Sequence, residues 1–183
     1  MRVIGGEFRS RRLKSLRGQA TRPTSDKLRE TLFDVLGPAV AGSVWYDCFA
    51  GSGAVGLEAL SRGAASVVFI ERGAAAVRVL RQNIDALGLG SRCSVLEQAV
   101  TMALKRATRA ADFFFLDPPY DASIEYRRAL DWLGQSTLLR PQATVIAEHS
   151  RRLPLEARYG PLARSRVLEQ GDSSLSFYRL AAP

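Results

Sequence analysis

The run Phe113-Phe114-Phe115-Leu116 is apolar enough to form a buried strand, and it ends in Asp117-Pro118-Pro119-Tyr120. That junction leaves one carboxylate, stiffened backbone carbonyls and one aromatic ring where the sheet stops. Each proline fixes its own φ and pushes its predecessor out of the α region. Acceptors held this way beside a ring suit a flat base bearing an amino group. The carboxyl edge of an open α/β sheet is also where such folds bind ligands.

A second constellation lies seventy residues upstream. Asp47-Cys48-Phe49-Ala50-Gly51-Ser52-Gly53-Ala54-Val55-Gly56 crosses from a predicted strand into a predicted helix. Gly51, Gly53 and Gly56 satisfy the spacing of a dinucleotide-binding loop, and Glu71 ends the next strand twenty residues after Gly51. Glycines let the backbone approach a ligand, and Glu71 can accept hydrogen bonds from a ribose diol. The plainer alternative is a tight strand-to-helix turn with a solvated Glu71. Asp47 separates the candidate cofactors. Its charge is unfavourable beside a pyrophosphate and favourable beside the amino group or sulfonium of S-adenosylmethionine. The Asp-Pro-Pro-Tyr element has no evident task in hydride transfer, so the two sites together favour the methyl donor.

These groups need a scaffold that brings strand ends together. From residue 43 strands and helices alternate: strands at Val44–Phe49, Ser66–Glu71, Cys93–Glu97, Phe113–Leu116 and Thr144–Glu148, helices at Ala54–Arg62, Ala74–Leu87, Ala99–Arg109 and Ile124–Leu133. This order argues for right-handed βαβ units and a doubly wound, mainly parallel α/β sheet. Ser165–Glu169 and Leu175–Leu180 flank the turn-forming Gln170-Gly171-Asp172-Ser173 and read as an antiparallel hairpin. Before the alternation, Thr24 or Ser25 caps a helix over residues 24–36, with Leu28, Leu32, Val35 and Leu36 on one apolar face and Gly37-Pro38 as its stop. Residues 2–16 predict a short basic hairpin around Gly5-Gly6 and the Arg9–Arg12 cluster.

The chain has 183 residues, most simply one domain, and carries a net charge of +8. The charge is uneven. Residues 1–22 hold Arg2, Arg9, Arg11, Arg12, Lys14, Arg17 and Arg22 against the single acid Glu7. A basic arm beside a near-neutral remainder is the footprint of a nucleic-acid binder, and guanidinium forks match phosphates. The alternative is a solvated tail that aids solubility. Cys48 and Cys93 are too few and too far apart for a disulfide framework or zinc site, and His149 is the sole histidine. No metal site is expected, and His149 reads as structural or merely exposed. No apolar run approaches the roughly 20 residues a membrane span needs, and the N-terminus lacks a secretory core, which favours a cytoplasmic protein.

Asp47–Gly56 followed by Leu57-Glu58-Ala59-Leu60-Ser61-Arg62-Gly63-Ala64 resembles the bacterial RsmD-like methyltransferases, which modify the exocyclic N2 of a guanine in 16S rRNA. Thr21-Arg22-Pro23-Thr24 before Arg29-Glu30-Thr31-Leu32-Phe33, and Asp117–Tyr120, extend the resemblance. Arg2-Val3-Ile4-Gly5-Gly6 and Gly171-Asp172-Ser173-Ser174-Leu175 carry it over nearly the whole chain. The resemblance implies a class I methyltransferase fold, Rossmann-like, with seven strands in the order 3-2-1-4-5-7-6. It implies that Asp47, Gly51 and Gly53 cradle the methionine part of S-adenosylmethionine, Glu71 holds the ribose, and Gln98-Ala99 lie near the adenine. Phe49, Ala50, Ser52 and Arg72 are grouped with them as cofactor-site candidates. Gln98 stands where many class I enzymes have an acid. Tyr46 and Cys48 replace aliphatic residues in the first strand, with consequences expected for packing alone.

The expected catalytic residues are Asp117, Pro118, Pro119 and Tyr120, with the Asp117 carboxylate and the Pro118 carbonyl as acceptors and Tyr120 as the stacking ring. The expected partner is 16S rRNA or the small ribosomal subunit, contacted by the arm of a monomer. A DNA adenine-N6 or cytosine-N4 methyltransferase shares the same pocket logic. A protein glutamine methyltransferase, an NAD-linked oxidoreductase and a non-catalytic RNA-binding assembly factor remain as alternatives.

Overall fold

All five residues of strand β1 (Val44–Cys48) are buried, because the sheet is covered on both faces. Trp45 points to one side, while Val44, Tyr46 and Cys48 point to the other. The structure, a computed structural model, describes residues 1–16, 25–119 and 123–181. Its other strands are β2 (Ser66–Glu71), β3 (Cys93–Glu97), β4 (Ala111–Leu116), β5 (Leu139–Ser150), β6 (Arg158–Tyr159), β7 (Leu162–Gln170) and β8 (Ser173–Leu180). They form one sheet in the order β3-β2-β1-β4-β5-β8-β7-β6. β1 to β5 pair in parallel, and β8, β7 and β6 follow in antiparallel pairs. The order agrees with the expected one except for an eighth strand. Arg158–Tyr159 adds a two-residue edge to β7, too short to register as an apolar run.

Helices α1 (Asp26–Leu36), α2 (Ala54–Ser61) and α3 (Ala74–Leu87) cover one face, and α4 (Val100–Arg106) and α5 (Ser123–Gly134) the other. On the first face Trp45 stacks between Phe33 and Phe113, with ring centroids 5.5 and 4.6 Å away. On the second, Tyr46 stacks on Phe114 at 4.9 Å, and its hydroxyl donates to the Arg109 carbonyl. The tyrosine in place of an aliphatic residue is thus accommodated by a partner for its polar tip.

Several boundaries differ from those expected. In α1 the ends are the expected ones: Ser25, one of the two candidate caps, accepts from the Leu28 N–H, and Gly37 closes the helix at φ 53°. The buried face of α1 is Leu28, Arg29, Leu32 and Phe33, with Val35 and Leu36 only half-buried. α4 stops at Arg106, before Ala107 turns to extended φ/ψ. β5 starts at Leu139, five residues early, and its pairing with β4 shifts register between Ala111 and Phe113.

Residues 1–14 fold back on themselves through an Arg2–Arg12 bridge, with Val3 and Leu13 buried in the core. Gly6, at φ +76°, lies so close to the end of α2 that a Cβ there would meet the Ser61 carbonyl at 1.9 Å. Beneath this turn, Glu58 accepts from the N–H groups of Ile4 and Gly5 at 2.8 Å each. Glu58 also faces the buried Arg29, whose Nη2 donates to the Arg2 carbonyl. The turn is therefore anchored by a buried acid and a buried cation shared between α1 and α2.

Candidate active site

β1 and β4 are neighbours, but the chain leaves them toward opposite ends of the sheet, β2 and β3 on one side and β5 on the other. This is the topological switch point, where doubly wound sheets open a crevice at their carboxyl edge. The parallel registers set the edge residues level. Cys48 pairs with Ile70 and with Leu116, and Leu116 pairs with Ala147. The next residues are Phe49, Glu71, Asp117 and Glu148. The structure therefore brings the glycine loop, Glu71 and Asp117 to one rim, while Gln98 and Ala99 follow β3 farther along it.

The glycine loop turns through left-handed conformations at Phe49, Gly51 and Gly53, with φ of 64°, 54° and 85°. Gly53 has a structural reason for its type, since a Cβ there would sit 2.4 Å from Leu80. Gly51 differs. A Cβ on it would meet nothing within 4 Å, so its outer face is open to a ligand. Glu71 spans the loop from beside it: one oxygen accepts from Gly51 N–H at 2.9 Å and the other from Gly73 N–H at 2.7 Å. Each oxygen retains a second lone pair, so the carboxylate both shapes the loop and remains able to accept from a diol. Ala50 is buried, Ser52 and Gln98 are half-buried, and Arg72 and Ala99 are exposed beside this rim.

Asp47 is only 2 % exposed and accepts from Gly56 N–H at 2.9 Å. Burial is the main cause that lifts its carboxyl to about 7. The Gly56 bond opposes the rise and the charge of Glu71 adds to it. No cation pairs with Asp47 among the described residues. A buried acid poised near neutrality without a counter-ion fits a positively charged ligand, which would draw it into its ionised form. The donor set and the open Gly51 face thus fit S-adenosylmethionine.

Asp117 is half-buried and has no hydrogen-bond partner among the described residues. Loss of water holds its carboxyl well above the usual carboxylate range, and the charges of Glu148 and Asp47 push the same way. Pro118 is buried and Pro119 exposed. Tyr120 lies outside the described residues, as do Arg17, Arg22 and the Thr21–Thr24 segment.

Glu148 is the residue that motif reading missed. It is buried at the end of β5, one strand from Asp117, and the Tyr126 hydroxyl donates to its backbone carbonyl. The available signal was positional: Glu71, Asp117 and Glu148 are all acids at strand ends. His149, next to it, is buried and structural. Its Nδ1 lies 3.0 and 2.9 Å from the carbonyls of Ser150 and Leu153, so the proton belongs there and Nε2 accepts from Ser176. Burial lowers its pKa and favours the neutral ring. Burial and Asp47 push the Cys48 thiol well above its ordinary range, and burial raises Cys93 to about 11, so neither supplies a thiolate.

Among the described residues no group of three His, Cys, Asp or Glu is arranged to hold a metal ion, and no helix is long and apolar enough to cross a membrane. Two surface cavities lie away from the rim. One of about 360 Å³ sits between the hairpin and α1, and one of about 710 Å³ lies between α4 and α5 around Lys105, Arg128 and Trp132. The basic side chains Arg2, Arg9, Arg11, Arg12 and Lys14 are all exposed on the hairpin. Arg11 donates to the Ala86 carbonyl and Lys14 to the Gln82 side chain, while Arg9 and Arg12 have no ion-pair partner among the described residues.

A nucleotide-type loop after β1, an acid closing β2 and an Asp-Pro-Pro turn after β4 define a class I methyltransferase architecture. The family described as Conserved hypothetical protein 95 matches residues 1–179, and the chain belongs to this RsmD-like family. It is 36 % identical over 150 residues to a protein of Escherichia coli K12 named Ribosomal RNA small subunit methyltransferase D, covering 79 % of this chain and 75 % of that one. The protein of the same name from Haemophilus influenzae is 35 % identical over 158 residues, covering 85 % and 81 %. Among solved structures, yhhF of Escherichia coli superposes with a TM-score of 0.88 at 30 % identity, covering 100 % of this chain and 99 % of that chain. A hypothetical protein of Thermus thermophilus gives 0.83 at 30 % identity, covering 98 % and 99 %.

Proposed function

We propose that this protein transfers a methyl group from S-adenosylmethionine to the exocyclic N2 of a guanine in 16S rRNA of the small ribosomal subunit. The observation that carries this reading is Asp117: a carboxyl of raised basicity, with no hydrogen-bond partner among the described residues, at the switch point next to a glycine loop. The names of the relatives support rRNA of the small subunit as substrate, and the exposed cations of the hairpin support binding of its phosphates.

When bound, S-adenosylmethionine supplies a methyl group on a positively charged sulfur, a leaving group that needs no metal. The chain's residues do the rest. Asp47 balances positive charge, Glu71 takes the ribose, and Gln98 with Ala99 borders the adenine. The guanine amine is a poor nucleophile because its lone pair is delocalised into the ring. Asp117 and the Pro118 carbonyl accept its two hydrogens, which favours a pyramidal nitrogen aimed at the methyl carbon. A hydrogen bond to a charged acceptor contributes about 1.5–3 kcal/mol. Once the amine has taken the methyl group from the donor, Asp117 would accept the excess proton left on nitrogen. A base must leave its stack to reach such a rim, so the target is looped or single-stranded RNA, with Tyr120 as the ring that stacks on it.

The test supplies labelled S-adenosylmethionine with unmodified 16S RNA, small subunits or DNA, followed by identification of the labelled nucleoside. N2-methylguanosine from RNA or subunits is expected. Label in N6-methyladenine or N4-methylcytosine of DNA would instead establish the DNA amino-methyltransferase reading. RNA binding with no transfer would leave an assembly factor.

A further inference from the structure

One side chain ties the glycine loop to the basic hairpin. Asn83 lies on the apolar face of α3 with Leu80, Ile84 and Leu87, and is itself only 2 % exposed. All its amide hydrogens are used. Nδ2 donates to the carbonyls of Ser52 at 3.0 Å and Lys14 at 3.1 Å, and Oδ1 accepts from Lys14 N–H at 2.8 Å. The orientation is determined, since a flipped amide would set its oxygen against two carbonyls.

Ser52 stands between Gly51 and Gly53. Gly51 N–H is held by Glu71 on one side of the loop, and the Ser52 carbonyl is held by Asn83 on the other. The loop is therefore pinned at two successive residues, and its second pin is also the anchor of Lys14 at the end of the hairpin. An alanine at position 83 would remove the partner of two carbonyls and one N–H, and the two segments would lose the group that joins them.

We infer that Asn83 is a positioning residue that couples the hairpin to the cofactor loop, so that RNA held by the hairpin strengthens cofactor binding and the cofactor strengthens RNA binding. Both ligands restrain segments fastened to the same amide, so the second to bind finds its segment already ordered. Linkage requires the two effects to be equal. The inference rests on the function proposed above.

The test is titration of the whole protein with S-adenosylhomocysteine, with and without saturating 16S RNA fragment, and the reciprocal titration of RNA. In the wild type each ligand should tighten the other by roughly fivefold or more, the lower end of ordinary coupling. In Asn83→Ala the factor should fall to about one while each ligand still binds alone. Asn83→Asp is a second variant, keeping an acceptor for Lys14 N–H and losing both donors. It should also lose the coupling. Lys14→Ala removes the cation but keeps the backbone groups that Asn83 holds, so coupling should survive there even as RNA affinity drops. A factor of one in the wild type, or full coupling in a folded Asn83 variant, overturns the inference and leaves the proposed function standing. Failure of the wild type to bind either ligand sinks the proposed function itself, and the inference with it.

Discussion

At Asp117, loss of water and the charges of Glu148 and Asp47 all act in one direction, holding the proton on. For a group that must accept hydrogens from an amine, this sets a working range: only the carboxylate form serves, so the rate rises with pH as the acid ionises. Glu148 is the nearer lever, because it follows Ala147, the register partner of Leu116. Replacing it by Gln removes a like charge without removing the Tyr126 bond, which is made to the backbone. The rising limb of the pH–rate profile should therefore move to lower pH in Glu148→Gln. Burial and, after it, the charge of Asp47 still hold the proton on, so the limb should stop short of the ordinary Asp range. The midpoint belongs to the linked acids together rather than to one of them. An unmoved limb would show that Glu148 does not act on the reacting group.

The basic hairpin is held by α1, α2 and α3 rather than trailing from the fold, through Arg29, Glu58, Ser61 and Asn83. Its cations are presented on a fixed frame. Converting Arg9, Arg11 and Arg12 to Gln should weaken RNA binding across sequences and flatten its dependence on salt, by up to about 0.7 per lost phosphate contact. Binding measured over a range of salt concentrations checks this, and an unchanged slope would return the hairpin to a solubility role.

Most of this framework was legible in the sequence. β2, β3 and α3 have the expected bounds, because clean apolar runs or a 3.6-residue period end there at glycines or acids. What stayed hidden was tertiary. Arg29 reads as a surface cation until Glu58 and the Arg2 carbonyl surround it. Asn83 reads as a polar interruption of a helix face until two loops are seen to meet on it. Glu148 gains meaning only from the strand registers. At Asp47, Glu71 and Asp117, by contrast, residue type and strand-end position carried the signal before any coordinates.

At the scale of the whole molecule, two layers of helices hold one sheet so that the ends of four adjacent strands meet on a single rim. The glycine loop follows β1, Asp117 follows β4, and the two strands are direct neighbours, so under the proposed function strand order would bring the two substrates face to face. Alignment of this kind contributes as much to rate as any single bond. In the proposed reading Asp47 and Glu71, on β1 and β2, would hold the cofactor, whereas the target amine would meet Asp117, just after β4. A substitution at Asp117 should thus separate binding from chemistry. The most direct measurement is methyl transfer and S-adenosylmethionine affinity in Asp117→Ala, side by side with the wild type. Transfer should be abolished, with cofactor affinity within a few-fold of the parent. Transfer retained, or affinity and transfer lost together, would contradict the assignment of Asp117 to the accepting amine.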